Sequence, residues 1–158
     1  MEQSLLTILL TFLLLNAAHA SQNSSPQAAY RMTQKGASGC LAKVVAEEAN
    51  TESLAAKRKV VAVVVNRAII GNVHVCDVVK QPRQFSWVTS HSVHWSSLAS
   101  ASENRKVVAK MTSDVLARNP SMLYSGITHF YAYKKVTPKW AGKMACHKDG
   151  QHMFCKET

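Results

Sequence analysis

The run from Val60 to Val65 constrains the fold most, because a segment that is apolar on all sides has to be surrounded by the rest of the protein. It follows Ser53, which can cap a helix, and the charged residues 57–59, and the segment ends at Arg67. Its valines also suit a strand, so a buried strand is the alternative. The charged entry and the unbroken apolar run favour a central buried helix.

The first twenty residues indicate export. Leu5 to Leu15 is an almost unbroken apolar run, and residues 18–20 that follow have the small-x-small pattern of a signal cleavage site. Eleven residues are few for a membrane span, although an uncleaved anchor is the alternative. The usual positive charge before such a run is missing, since Glu2 is the only charged residue there. We expect a signal peptide at 1–20 and a secreted, periplasmic or wall-located protein with no stable membrane insertion after cleavage.

The remaining length suits one domain. Removing residues 1–20 from the 158 of the chain leaves 138, enough for a single modest core. Residues 21–39 are polar and have no apolar period, so they predict a flexible leader. The catalytic domain is therefore expected at 40–158, as a monomer.

The charge of the chain indicates an anionic partner. It has 19 Lys and Arg against 9 Asp and Glu, and because Glu2 lies in the leader the mature part has 19 against 8, or +11. Outside the cytoplasm such a balance favours a cell wall or a membrane surface. Nucleic acid is the alternative, which we do not expect for an exported protein.

Four cysteines predict two disulfides in an oxidising compartment, with three pairings open: Cys40, Cys76, Cys146 and Cys155. A small zinc site is the alternative for the last part of the chain, with Cys146, His147, His152 and Cys155 as its ligands. Its spacing matches no common zinc module. We therefore expect neither a metal nor another cofactor.

The periodicity predicts an α+β fold with helices first and a small sheet last. A first amphipathic helix begins near Cys40, and Ser102 caps a later helix with Val108, Met111 and Val115 in its apolar stripe. Residues 70–100 predict a long irregular segment with one helical turn at Cys76 to Lys80. Short strands are predicted at Thr128–Tyr133 and at Met144–Cys155, the latter with a turn at residues 149–150.

Glu48 is an acid on the apolar face of the first helix. On a helical wheel with Leu41 at zero, Val45 lies at about 40°, Glu48 at about 340° and Glu47 at about 240°. Glu47 therefore lies on the solvent side near Lys43, whereas Glu48 points inward. Burial disfavours the charged form of a carboxyl group, which suits a general acid. In the alternative, the helix end frays and Glu48 turns to water.

Glu52 lies at about 20° on the same wheel if the helix continues, which makes it a candidate second carboxylate. Asn50 and Thr51 weaken the helix there. The alternative for Glu52 is a simple first-turn acid facing the N-terminus of the next helix.

Five short blocks occur in order between Leu41 and Phe154. They are Glu-Ala-Asn-Thr-Glu at 48–52 with Asn-Arg at 66–67, Cys-Asp-Val-Val at 76–79 with Gln-Phe-Ser-Trp at 84–87, Thr-His-Phe-Tyr at 128–131, Pro-x-Trp-Ala at 138–141, and Gly-x-His-x-Phe at 150–154. In this order and spacing the chain resembles the SleB-like cell-wall hydrolases, which include spore cortex-lytic enzymes. The family's first block reads Glu-Ala-Arg-Gly-Glu, so Asn50-Thr51 departs from it.

The resemblance implies a lysozyme- or transglycosylase-like α+β domain, a helical core with a small C-terminal antiparallel sheet. It implies that Glu48 cleaves the glycosidic bond between N-acetylmuramic acid and N-acetylglucosamine in the glycan strands of peptidoglycan. Glu48 would protonate the leaving oxygen and then take the proton of the muramic acid 6-hydroxyl, closing a 1,6-anhydro ring. A true hydrolase needs a second carboxylate, for which Glu52 is the nearest candidate.

Substrate contacts are expected from Glu52 and from residues of the other blocks: Gln84, Phe85, Trp87, Thr128 and His129. Gln84, Phe85 and Trp87 suit a sugar-binding wall or, alternatively, simple loop anchoring. Asn66 and Arg67 are expected to hold neighbouring loops, and Tyr131, Trp140 and His152 to pack or support. A basic exported wall-binding protein that has lost turnover is the main rival function, favoured by the altered Asn50-Thr51.

Overall fold

The computed structural model describes residues 24–82, 84, 85, 87, 88, 102–117 and 126–158. The predicted signal segment at 1–20 and most of the predicted long loop, residues 89–101, lie outside these ranges. The described part contains helices α1 (Ser24–Thr33), α2 (Ala37–Ala49), α3 (Leu54–Ile70), α4 (Val75–Lys80) and α5 (Ser102–Leu116), strands β1 (Ile127–Ala132), β2 (Met144–Asp149) and β3 (His152–Glu157), and a 3-10 helix at Lys139–Lys143.

The valine-rich segment forms the central helix, as predicted. Ser53 caps α3 by accepting a hydrogen bond from the backbone N–H of Ala56 at 3.1 Å. Every residue from Val60 to Val65 is fully buried, because α3 contacts each of the other four helices and β1. Burial on all sides outweighs the preference of valine for strands, so the strand alternative is wrong.

From Ser24 onward, within the predicted flexible leader, the chain forms α1. Ala28 and Met32 are buried in the core, and α1 packs against α3 and α5. Two apolar residues four positions apart form a stripe one helical turn long, too short to stand out in a polar sequence. The division of the chain into signal, leader and domain stays a prediction.

The sheet is antiparallel, with β3 in the middle of the order β1-β3-β2. The turn that joins β2 to β3 lies at residues 150–151, one position after the predicted 149–150, and both predicted strand regions are confirmed. The α+β class, with a helical core and a small C-terminal antiparallel sheet, is therefore also confirmed.

Polar side chains of α3 fasten the sheet to the helices. Asn66 Nδ2 donates to the carbonyl oxygen of Ile127 at 2.8 Å, and Arg67 Nε donates to that of Thr128 at 2.6 Å. At the other end of the sheet, Lys59 Nζ lies 2.6 Å from a carboxylate oxygen of Asp149. Asn66 and Arg67 are predicted to hold neighbouring loops, and these bonds hold the start of strand β1.

The four cysteines form two disulfides. Cys40–Cys76 joins α2 to α4, and Cys146–Cys155 joins a directly opposed pair of residues on β2 and β3. The alternative zinc site is wrong, because two of its four ligands are bonded to each other. Within the described ranges, no group of three or more His, Cys, Asp or Glu side chains could hold a metal ion.

None of the helices in these ranges is long and apolar enough to cross a lipid bilayer.

The two disulfides are expected to stabilise the domain unequally. They join residues 36 and 9 positions apart, and in the chain-entropy model the longer loop restricts the unfolded chain more. Replacing Cys40 and Cys76 by alanine should cost about 4 kcal/mol, and replacing Cys146 and Cys155 about 2.5 kcal/mol. Urea unfolding of the two double variants measures the difference. Equal losses, or the reverse order, would contradict this assignment.

Candidate active site

Glu48 lies in the last turn of α2 and points toward an indole ring rather than into bulk water. Its side chain is half-buried, and Oε1 accepts a hydrogen bond from Nε1 of Trp87 at 2.8 Å. Burial raises the pKa of Glu48 above its ordinary value, because the charged form loses hydration, and the Trp87 bond opposes this rise. The Glu48 side chain therefore has the inward orientation that the helical wheel predicts.

Two charged groups act on Glu48 besides its burial. The adjacent Glu47 raises the pKa of Glu48 by like-charge repulsion, and Lys135, in the turn after β1, lowers it. Glu47 is itself paired with Lys43 one turn earlier on α2. A negative and a positive neighbour therefore act on the carboxyl group of Glu48 in opposite directions, and an N–H donor is directed at it.

Further aromatic rings pack next to Trp87. The ring of Phe85 stacks on that of Trp87, with ring centroids 5.6 Å apart. Phe85 also packs against Phe130 of β1, with ring centroids 6.4 Å apart. Phe85 is only 3 % exposed, so it packs behind Trp87, which remains half-exposed. Of the two aromatic residues predicted to form a sugar-binding wall, Trp87 is the one with an accessible ring.

Gln84, Thr128 and His129 gather around Arg67, at the C-terminal end of α3. Arg67 donates to Oε1 of Gln84 at 2.5 Å and to the backbone of Thr128, and the Thr128 hydroxyl lies 2.9 Å from Nδ1 of His129. Burial lowers the pKa of His129, and the charge of Arg67 lowers it further, which favours the neutral ring. The ring of His129 packs on that of Trp140, with ring centroids 4.8 Å apart. The predicted contact residues thus fall into two groups, one at Glu48 and one at Arg67.

Glu52 belongs to neither group, because it holds the turn between β2 and β3. Its side chain is 7 % exposed, and both carboxylate oxygens accept from the backbone N–H of Gln151 at 3.3 Å. Oε1 also lies 3.7 Å from Nδ1 of His152, whose pKa is lowered mainly by burial. A side chain at Gly150, where φ is +58°, would place its Cβ 2.0 Å from Oε2 of Glu52.

Two charged residues of the site were not identified from the sequence. Lys43 was assigned to the helix surface beside Glu47, yet it is buried, and no sequence pattern distinguished Lys135 from the other lysines. His152 was expected to pack, and its ring meets that of Phe130 edge-on at 5.4 Å.

Glu48→Gln should stabilise the fold at neutral and higher pH. A raised pKa means that the folded state holds the proton more tightly than the unfolded chain, so the wild type loses stability as the pH rises through the pKa of Glu48 in the folded protein. Glutamine keeps an oxygen for Trp87 and carries no charge. Its Tm should exceed that of the wild type by a few degrees at about pH 8, and the gain should vanish by about pH 4.

The exposed acid at the start of α5 provides the control, since Glu103→Gln should leave Tm unchanged across the same pH range. If Glu48→Gln has no higher Tm than the wild type at about pH 8, the carboxyl group of Glu48 is not desolvated as described.

Comparison with known proteins identifies one family. Residues 51–155 match the cell wall hydrolase family. The match includes Glu52, Trp87 and the Arg67 group, and it begins three residues after Glu48. No curated protein and no solved structure matches the chain. Because the match covers most of its length, the chain belongs to the cell wall hydrolase family, the SleB-like family that its sequence motifs resemble, and is a peptidoglycan-acting enzyme.

Proposed function

We propose that the protein is a lytic transglycosylase that cleaves the bond between N-acetylmuramic acid and N-acetylglucosamine, with Glu48 as its general acid and base. The observation that carries this proposal is the half-buried carboxyl group with a raised pKa and a bond from Trp87. A raised pKa lets a carboxyl group keep its proton to higher pH and donate it to a leaving oxygen, and the indole N–H then stabilises the carboxylate that forms.

The reaction needs one carboxyl group. As the bond from C1 of the muramic acid to the leaving oxygen breaks, that oxygen takes the proton of Glu48. The 6-hydroxyl oxygen of the same sugar then bonds to C1, and its proton passes to the carboxylate of Glu48. The products are a free 4-hydroxyl group on N-acetylglucosamine and a 1,6-anhydro ring, and Glu48 is protonated again.

The surroundings of Glu48 favour this route over hydrolysis, which would need a second carboxylate as base or nucleophile. Glu52 is engaged by the backbone N–H of Gln151, and Glu47 is paired with Lys43. Among the described residues, Lys135 also acts on Glu48, and it is a cation. A charge of this sign cannot activate water as a base, so muramidase activity is the less favoured form.

Glycan binding is assigned to the two groups of polar and aromatic residues. The half-exposed ring of Trp87 suits stacking on a sugar beside Glu48. Gln84, Thr128 and His129 around Arg67 provide hydrogen-bonding groups for sugar hydroxyls further along the strand. We infer that the positive charge of the chain adds affinity for the anionic wall.

The protein is proposed to act as a monomer outside the cytoplasm, secreted or in the periplasm at the cell wall. The family and the two disulfides are consistent with an extracytoplasmic protein. Residues 1–20 supply the expected export signal.

A wall-binding protein without turnover is the second candidate, and Asn50 is the residue that favours it. Here Asn50 replaces the arginine of the family motif, and its Oδ1 accepts from Nδ2 of Asn104 at 3.2 Å, which ties the end of α2 to α5. The position two residues after Glu48 therefore serves packing between helices instead of offering a cation to the substrate.

Digestion of purified peptidoglycan sacculi separates these functions. Wild-type protein should release 1,6-anhydro-muropeptides, detected by mass spectrometry, and Glu48→Gln should release them at least about 100-fold more slowly. Glu103→Gln is the control and should match the wild type.

Glu52→Gln distinguishes the two reaction types, because a transglycosylase should still form anhydro products with this substitution. If the wild type forms ordinary reducing ends and Glu52→Gln does not, the enzyme is a hydrolase instead. Equal release by wild type and Glu48→Gln would overturn the catalytic assignment. Sacculi that bind the protein but yield no products would favour the binding protein.

A further inference from the structure

Lys43 is a buried lysine in the middle of α2. The residue is 7 % exposed, and its ammonium group pairs with Glu47 one turn further along the helix. The same ammonium group lies 5.5 Å from the centroid of the Trp87 ring. Lys43 therefore contacts the residue that donates to Glu48, although it lies outside the blocks that resemble the family.

A lysine paired with an acid on its own helix does not have to be buried. On α5, Lys106 pairs with Glu103 and Lys110 pairs with Asp114, and the two lysine side chains are 74 % and 64 % exposed. Exposed pairs of this kind contribute only about 0.3–0.5 kcal/mol, less than the cost of taking an ammonium group out of water. Lys43, in contrast, is buried and lies over an indole ring.

We propose that Lys43 is a positioning residue, whose ammonium group holds the indole of Trp87 so that its N–H stays bonded to Glu48. The inference rests on the proposed role of Glu48 as the acid. A cation over an indole face is attracted by the ring electrons and orients the ring, and it also draws electron density from the N–H, which becomes a stronger donor. Lys43 thus acts on the carboxyl group through Trp87, without touching the substrate.

Losing the charge of Lys43 should destabilise the carboxylate of Glu48. The indole would be held less firmly, and the Glu47 carboxylate would lose its partner and repel Glu48 more strongly. The charge of Lys135 would still act on Glu48. These changes act in the same direction, so Glu48 should keep its proton to higher pH in Lys43→Met than in the wild type.

Nitrogen-15 NMR of the indole groups follows the ionisation of Glu48 with pH without any assay of activity. The chain has three tryptophans, and Trp87→Phe identifies the signal of Trp87. In the wild type this signal should shift with pH as Glu48 ionises, and the shift should be absent in Glu48→Gln. In Lys43→Met the midpoint should move to higher pH, and Lys43→Arg, which keeps a cation over the ring, should restore it.

Lys106→Met is the matched control, because it removes a lysine from an exposed pair that has no indole contact within the described ranges. Its midpoint should equal that of the wild type. An unchanged Trp87 titration in Lys43→Met would overturn the proposal. If Lys43→Met does not fold, the ε-methylene protons of Lys43 provide the test, since they should show a ring-current shift in the wild type that Trp87→Leu removes. The absence of that shift would overturn it as well.

Enzyme assays then connect the titration to turnover. The pH profile of kcat should move to higher pH in Lys43→Met, with KM little changed, and should return in Lys43→Arg. A wild type without activity would overturn the proposed function, whereas the NMR titration would still decide whether Lys43 holds Trp87.

Discussion

The complete burial of Val60 to Val65, in the middle of α3, is the constraint on which the other elements depend. Its valines have no solvent-facing side, so the other four helices and β1 have to cover them. The polar residues at its two ends then fix the sheet, with Lys59 on the β2–β3 turn and Asn66 and Arg67 on β1. One helix thereby holds both the hydrophobic core and the strand next to the candidate active site.

The site combines opposing effects on a single carboxyl group. Burial raises the pKa of Glu48, while the bond from Trp87 and the charge of Lys135 lower it. A carboxyl group that was only buried would lose its proton with difficulty, and one that was only hydrogen-bonded would ionise too easily to act as an acid. These effects oppose each other, which suits the proposed role of Glu48 as both acid and base.

Features set by local pattern could be predicted from the sequence, whereas those set by distant contacts could not. The helix through Val60 and the inward orientation of Glu48 follow from periodicity over a few turns. The burial of Lys43 depends on Trp87, which lies 44 positions along the chain, and the engagement of Glu52 depends on Gln151, at a separation of 99. No helical wheel contains such partners, so Glu52 was predicted as a second carboxylate and Lys43 as surface.

The contact between Glu52 and the β2–β3 turn restricts how this chain can diverge. A Cβ at position 150 would overlap the carboxylate of Glu52, so a larger residue there is tolerated only if the side chain at position 52 becomes shorter. A shorter side chain would in turn leave the N–H of Gln151 without its acceptor. Positions 52 and 150 are therefore expected to covary among related sequences, although about a hundred residues separate them, and a change at one alone should be rare.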